Sequence, residues 1–521
     1  MNMKISLNKL QTSSEAVIST VSLSFIAKAL AFSQSIVVTY IFGTQMSTDI
    51  TFYLVSVVAM ITILVNALDE GVFIPLILKI RNSVSEDESK KLISFLYMIY
   101  LSAGGGLAVI MTVFPVEILS FFSKFSAGSI RENIVIVRCI APTILLSVIN
   151  IFVLDVLVSY RRFTLTVLLD IVKSLITLLF VICFKDLLEV RSLAAGVLGA
   201  SLLQFFIVNV IMQVQLKCKV RPGTYGIDKQ TVRNLMYILA ANISTFLYGF
   251  ICMYLLSGFE EGVYSAVSYS EKLYASINTI FTCQISTVIG ISIIDLYITK
   301  NYAKLNDIFV KYLKAGFFII TPVCFILSLN SSTVISILFG RGEFTRESVS
   351  MTAGFFTYFV LAIPIRLVYS LIERLMIAKQ IQKSVFYWQV FESILGIIIT
   401  GAFIVKLGYK GYAVGTLLSL LVYMVLFTFF ILKKEFDFIS RSEIITFLVS
   451  NITINIAISA FVYIVLKGFN TGNRLDLKIL VLTLSTAAYM LLYLFLSCFS
   501  KSNREIMRGL FLNVKGLVRN E

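Results

Sequence analysis

A chain of 521 residues that is 58% hydrophobic, only 14% charged and of net charge +15 lies outside the range of soluble domains, and a bilayer is its expected solvent. The absence of histidine excludes His-based acid–base chemistry, His-dependent triads and His metal ligands. No G-x-x-x-x-G-K-S/T sequence occurs, so nothing cradles a nucleotide in the P-loop manner.

A spanning helix needs about 20 mostly apolar residues, because roughly 30 Å of hydrocarbon is crossed at about 1.5 Å per residue. The chain offers about fourteen such stretches. In order they are Ile18 to Phe42, Ile50 to Ile80, Leu92 to Phe114, Ile134 to Ser159, Phe163 to Phe184, Leu193 to Val214 and Leu235 to Leu256. A second set follows: Val263 to Leu296, Leu313 to Leu329, Met351 to Leu371, Val385 to Val405, Tyr412 to Leu432, Ile444 to Leu466 and Leu477 to Phe499. In lipid the backbone must close its hydrogen bonds within each segment, so the expected class is an all-α polytopic membrane protein. The first stretch is too long for a signal-peptide core and lacks a small-residue cleavage site, so it is expected to stay in the protein.

Taking the loops alternately with the N-terminus inside puts about 27 Lys and Arg on the cytoplasmic side against about 10 outside. Both termini are therefore expected to be cytoplasmic. Lys217, Lys219, Arg221, Lys229 and Arg233, together with the tail from Lys501 to Arg519, supply much of the excess. The positive charge is then topological, and no nucleic-acid partner is expected, since the basic residues sit in short loops without an aromatic platform. Seven single cysteines without paired spacing read as core residues. Gly104, Gly105 and Gly106 lie inside the third stretch with no strand before them, a setting for close helix packing. The longest polar break, Gln215 to Asn234, is too short for a soluble domain. A polytopic glycosyltransferase or polymerase would need a substantial external loop for its acid, base or sugar-binding groups, and none is visible. The chain reads as a transporter and not as an enzyme.

Charges inside the stretches point to function, because each costs a few kcal/mol (~3) at the bilayer centre unless water or a partner receives it. Arg161 and Arg162 can snorkel at a helix end, the i,i+3 pair Asp170 and Lys173 fits a structural role, and Asp155 fits either role. Lys28 lies mid-span, with Ser24 and Ser35 on its face and Gln34 beside it. In the eighth stretch Ser268, Lys272 and Ser276 share a face, and Glu271 points about 100° away from Lys272. In the tenth, Arg366, Ser370 and Glu373 share a face. Each set fits a polar cavity, or else interhelical ion pairs that only hold a bundle together.

Several stretches resemble one family. Ala27-Lys28-Ala29-Leu30-Ala31-Phe32, Ile41-Phe42-Gly43, Met46-Ser47-Thr48-Asp49 and Val72-Phe73-Ile74-Pro75 are similar to the opening helices of the MurJ/MviN lipid II flippases, members of the MOP superfamily. Tyr269-Ser270-Glu271-Lys272-Leu273, Leu338-Phe339-Gly340-Arg341-Gly342-Glu343-Phe344-Thr345 and Ala378-Lys379-Gln380-Ile381-Gln382-Lys383 continue the resemblance in order. It implies two lobes around a cavity that opens alternately inward and outward: residues 1–220 as an N-terminal lobe, 221–440 as a C-terminal lobe, and 441–521 as two additional helices with a basic tail. Similar short turns, Phe42-Gly43 to Asp49 and Ser257-Gly258 to Tyr264, echo an internal repeat.

The resemblance also implies a site. In the family, cations of the first, second and eighth helices hold the diphosphate of a polyprenyl-linked sugar. The matching positions are Lys28 and Lys272, with Glu271 as the acidic neighbour and Asp49 as the aspartate that starts the second helix. Gln34 stands where a second arginine is expected, and Met60-Ile61-Thr62-Ile63 replaces an arginine pair. Lysine acts on phosphate as a point charge where arginine would be bidentate. The expected substrate-binding set is thus Lys28, Gln34, Ser35, Asp49, Glu271, Lys272 and Arg366. No cofactor or metal is expected, and coupling to Na⁺, H⁺ or the membrane potential is open, with Glu271 one candidate ion site. The expected function is translocation of a polyprenyl-diphosphate-linked saccharide, lipid II or another cell-envelope glycan precursor, across a bacterial cytoplasmic (inner) membrane. Its partners would be that lipid, the membrane lipids and cell-envelope synthesis enzymes. The alternatives are a MATE-like exporter of small organic solutes, which would favour an acidic cavity, and a non-transporting scaffold of envelope assembly.

Overall fold

The computed structural model describes residues 13–507 apart from 224, 227, 467–474 and 502, and among them there are helices and no strands. Most of the basic tail from Lys501 to Arg519 lies outside the described residues. The chain begins with α1 (Ser13–Phe42) and α2 (Met46–Leu68), which runs through a π turn (Asp69–Phe73) into α3 (Ile74–Ser83). Then come α4 (Glu86–Val113), α5 (Pro115–Phe122), α6 (Ala127–Glu132), α7 (Ile134–Ser159), α8 (Phe163–Leu188) and α9 (Arg191–Val214). After a loop, α10 (Lys229–Leu256) and α11 (Val263–Asn278) follow, and a second π turn (Thr279–Cys283) leads into α12 (Gln284–Ile298). The remainder is α13 (Tyr302–Leu329), α14 (Ser331–Phe339), α15 (Arg346–Leu361), α16 (Ile363–Lys379), α17 (Gln382–Leu407), α18 (Lys410–Glu435), α19 (Arg441–Leu466) and α20 (Leu475–Ser497).

Thirteen helical runs among the described residues are long and apolar enough to cross a membrane. They coincide with thirteen of the stretches read from the sequence. The other, the eighth, is the helical run through α11 and α12, whose first half is rich in Ser and Tyr and carries Glu271 and Lys272. This is an all-α, multi-pass membrane fold.

Local chemistry sets the helix ends. Ser85 caps α4 by accepting from the Glu88 N–H at 3.1 Å, with Glu86, Asp87 and Glu88 suiting the positive end of the helix dipole. Asp228 caps α10, accepting from the Thr231 N–H at 3.1 Å, so this helix starts six residues before the expected Leu235. Pro75 and Pro364 occupy first turns, where no N–H is needed, whereas Pro142 and Pro322 lie inside α7 and α13. The expected loop from Gln215 is pinned in part: the Ser94 hydroxyl donates to the Arg221 carbonyl and accepts from its N–H, at 2.8 and 2.7 Å.

The chain divides into two compact units, Met1–Ser268 with Arg341–Thr345, and Tyr269–Gly340 with Arg346–Glu521. In the first, α7 is buried on nearly every side, packing on α2, α4 and α9 around Phe152, Val153, Val156 and Leu157. Of the three adjacent glycines, Gly104 alone explains itself by packing. A Cβ there would sit 3.2 Å from the Leu145 Cα of α7, while Gly105 and Gly106 face open space. In the second unit α17 packs on α18, and α13 lies against α15, α16 and α19. The cysteines are not uniformly core residues: Cys218, Cys252 and Cys324 are buried, but Cys183 and Cys498 are exposed.

Candidate functional site

The polar residues of the first unit sort into a cavity and a clamp. The cavity, of about 340 Å³, lies among α1, α2, α7, α8 and α9. On α8 the residues Asp170, Lys173, Ser174 and Thr177 all line it, and their i, i+3, i+4, i+7 spacing is one helical face. On α7 the same logic presents Thr143, Ser147 and Asn150. Gln34 enters from α1 and Gln204 from α9. Asn150 ties two walls together, its Nδ2 donating to the Ser201 carbonyl at 3.1 Å and to Gln204 Oε1 at 3.3 Å. Its Oδ1 is buried without a partner. Burial of this many polar groups at bilayer depth is tolerable only where water or cargo satisfies them.

Lys28, expected on a cavity-facing stripe, is exposed and makes no ion pair among the described residues. Asp170 lies in the electrostatic field of both Lys173 and Lys28, as the packing of α1 on α8 requires. Gln34 lines the cavity. Ser35 does not: it is 5% exposed, and its hydroxyl donates back to the Ala31 carbonyl at 3.1 Å. The pair Asp170 and Lys173, read from sequence as structural, is instead central to the cavity wall. The polar stripe at 170, 173, 174 and 177 is the signal that finds it.

Asp49 forms the clamp. It is 2% exposed, and its Oδ2 accepts from the Gly262 N–H at 2.8 Å while its Oδ1 accepts from the Ser265 N–H at 2.7 Å and from the Ser265 hydroxyl. These are amides at the N-terminus of α11, where a carboxylate is held best. Asp49 is not among the cavity-lining residues. Beside it, Glu261 Oε1 accepts from the Met46 N–H at 2.7 Å, and the Glu343 N–H donates to the Tyr40 carbonyl at 3.0 Å. The turn 341–345, part of the first unit, therefore docks on the link between α1 and α2. Gly342 has φ +63°, and a Cβ there would lie 2.1 Å from the Tyr40 carbonyl oxygen.

In the second unit, Glu271 and Lys272 are both exposed and diverge from α11. The Tyr412 hydroxyl donates to Glu271 Oε1 at 2.9 Å, and the Lys272 ammonium lies 5.9 Å from the centre of the Tyr269 ring. Arg366 is engaged differently. Its Nη1 lies 3.3 Å from Glu392 Oε1 of α17, and its guanidinium is 6.0 Å from the Tyr369 ring. That is the interhelical ion pair the sequence left open. The two units carry separate parts of the expected set: Lys28, Gln34, Ser35 and Asp49 in the first, Glu271, Lys272 and Arg366 in the second.

A multi-pass helical protein with an acid and a base lining a polar cavity between its helices has the architecture of a membrane transporter. An inward-facing multidrug resistance MATE transporter of the MOP superfamily has this fold at a TM-score of 0.59 and 12% identity, over 78% of this chain and 96% of that one. A solved structure described as lipid II flippase MurJ in an inward closed conformation gives a TM-score of 0.74 at 18% identity, over 91% of this chain and 98% of that one. Residues 38–503 match the sequence profile of the family described as "MurJ: Lipid II flippase MurJ", and the chain belongs to that family. A probable lipid II flippase MurJ of Borreliella burgdorferi is 25% identical over 420 residues, 79% of this chain and 81% of the relative. The family is one of transporters rather than of catalysts.

Proposed function

We propose that this protein is a flippase that moves a polyprenyl-diphosphate-linked saccharide, lipid II or a related cell-envelope precursor, across a bacterial inner membrane by alternating access. The observation that carries the reading is the cavity of the first unit, lined by amides, hydroxyls and the pair Asp170 and Lys173, with Lys28 exposed on α1. In this reading Lys28 attracts the diphosphate as a point charge, with Lys272 the second cation of the proposed set, while Gln34, Asn150 and Gln204 offer hydrogen bonds to sugar hydroxyls and the prenyl chain stays in lipid. Asp170 keeps the anion from being held too tightly. No bond in the cargo is made or broken. A MATE-like export of organic cations would favour an excess of acid, whereas the cavity carries one acid and one base.

The test is reconstitution of the full chain in liposomes with a fluorescent polyprenyl-diphosphate disaccharide, scored by accessibility of the label to an impermeant quencher. Wild type is expected to translocate it, Lys28→Ala with Lys272→Ala to lose at least tenfold in rate, and Lys28→Arg to keep most of it. Unchanged flipping in the double variant would sink the site assignment, and no flipping by wild type would sink the function.

A further inference from the structure

The π turn that interrupts the second span is acidic. Asp69 opens it and is fully buried. Tyr100 of α4 donates to Asp69 Oδ1 at 2.8 Å, while Asp69 Oδ2 is buried with no hydrogen-bond partner. The Asp69 carboxyl also lies within electrostatic reach of the Asp155 carboxyl on α7. Asn66, one turn earlier on α2, donates to Asp155 Oδ2 at 3.2 Å and to Glu70 Oε1 at 3.4 Å. One amide thus bridges Asp155 and Glu70 one turn before the buried Asp69, and among the described residues no Lys or Arg forms an ion pair with any of the three acids.

The other charged or titratable groups on elements packed against the turn are engaged elsewhere or exposed. Arg81 of α3 donates to the Ser159 carbonyl at 3.2 Å and lies 4.5 Å from the Tyr160 ring, and Lys79 is exposed. Tyr97 of α4 donates to Asn209 at 2.8 Å. From α10 the side chain nearest Gly71 of the turn is the apolar Ile238, with Arg233 and Tyr237 exposed. Among the described residues no group of three or more acidic or thiol side chains is arranged to hold a metal ion. Two neighbouring carboxyl groups, one of them fully buried, resist ionising together, and a proton shared with the neighbour would complete the unpartnered Asp69 oxygen.

We propose that Asp69 and Asp155 form a single proton-binding site, loaded and emptied as the protein moves its cargo, with the π turn as the element that responds. The inference rests on the transport reading above. With the proton in place, the O–H of one carboxyl donates to the other and Asp69 Oδ2 is satisfied. When the proton leaves to water, two neighbouring negative charges, with Glu70 beside them, repel across the α2–α7 packing. A π turn holds one residue more than a helical turn and can shift its hydrogen-bond register at small cost. No electron moves; the proton comes from water and returns to it.

The first experiment needs no cargo. Infrared spectra of the full chain in lipid, titrated from acid to alkaline buffer, are expected to show a protonated-carboxyl band that shifts in D₂O and titrates away. Asp69→Asn and Asp155→Asn should each abolish it, and Glu117→Gln should leave it. Absence of the band in wild type, or its survival in both Asp variants, overturns the proposal. If either Asp variant fails to fold, Tyr100→Phe removes only the hydroxyl on Oδ1 and must move the titration midpoint; an unmoved midpoint also overturns it. The second experiment imposes a pH difference on the flipping liposomes: wild type should change rate severalfold and Asp155→Asn should not respond. A wild type that flips without responding overturns the coupling. A titrating band in a protein that flips nothing would overturn the transport reading alone.

Discussion

Individual residues carry unequal weight. Asp49 resembles a family site residue, yet its carboxylate already accepts from three donors at the start of α11, and charge-assisted hydrogen bonds of this kind contribute about 1.5–3 kcal/mol each. Asp49→Ala is therefore expected to lower stability by at least about 2 kcal/mol, read as a lower thermal midpoint in detergent, before any effect on cargo is considered. Asp49→Asn keeps an acceptor and should cost less. A variant with normal stability and lost flipping would return Asp49 to the substrate site. Arg366 is similarly engaged, through its interhelical ion pair with Glu392.

At the scale of the element, close approach explains glycines that composition alone cannot rank. Gly342→Ala must force the turn 341–345 away from the Tyr40 carbonyl and hold an L-residue in the left-handed region, which alone costs about 1–2 kcal/mol. Gly105→Ala in α4 meets nothing and gains helix propensity of roughly 0.5–1 kcal/mol. Thermal unfolding of the two variants should move in opposite directions. The helices themselves were legible because a bilayer demands apolar length, and that demand is written in composition. The π turns were not, because a slipped hydrogen bond leaves the apolar pattern intact: Asp69–Phe73 reads as a continuous part of a spanning stretch. Periodicity also says which residues share a face without saying what that face meets. Asp170 and Lys173 were thus visible as a pair but not as a cavity wall, and the approach of Asp155 to Asp69 was invisible.

The whole molecule is oriented by its charge. Cytoplasmic termini, the expectation from the distribution of Lys and Arg, would put the loop after α9 on the cytoplasmic side and the turn between α10 and α11 outside. In a background where the exposed Cys183 and Cys498 are changed to Ser, Lys217→Cys should react with an impermeant maleimide only in inverted vesicles, and Glu260→Cys only in intact cells. Cys218 can remain, since burial pushes its thiol up to about 11 and little thiolate is available. The reverse labelling pattern would invert the topology and place the acid pair of α2 and α7 near the outer surface.

The clamp at Asp49 also makes a built-in reporter. Because the Gly262 and Ser265 amides are both held by a carboxylate more than 200 positions earlier in the chain, their deuterium uptake measures whether the start of α2 is in place. Slow exchange there, compared with the exposed Gly223, would give a local gauge of native assembly that needs neither label nor cargo.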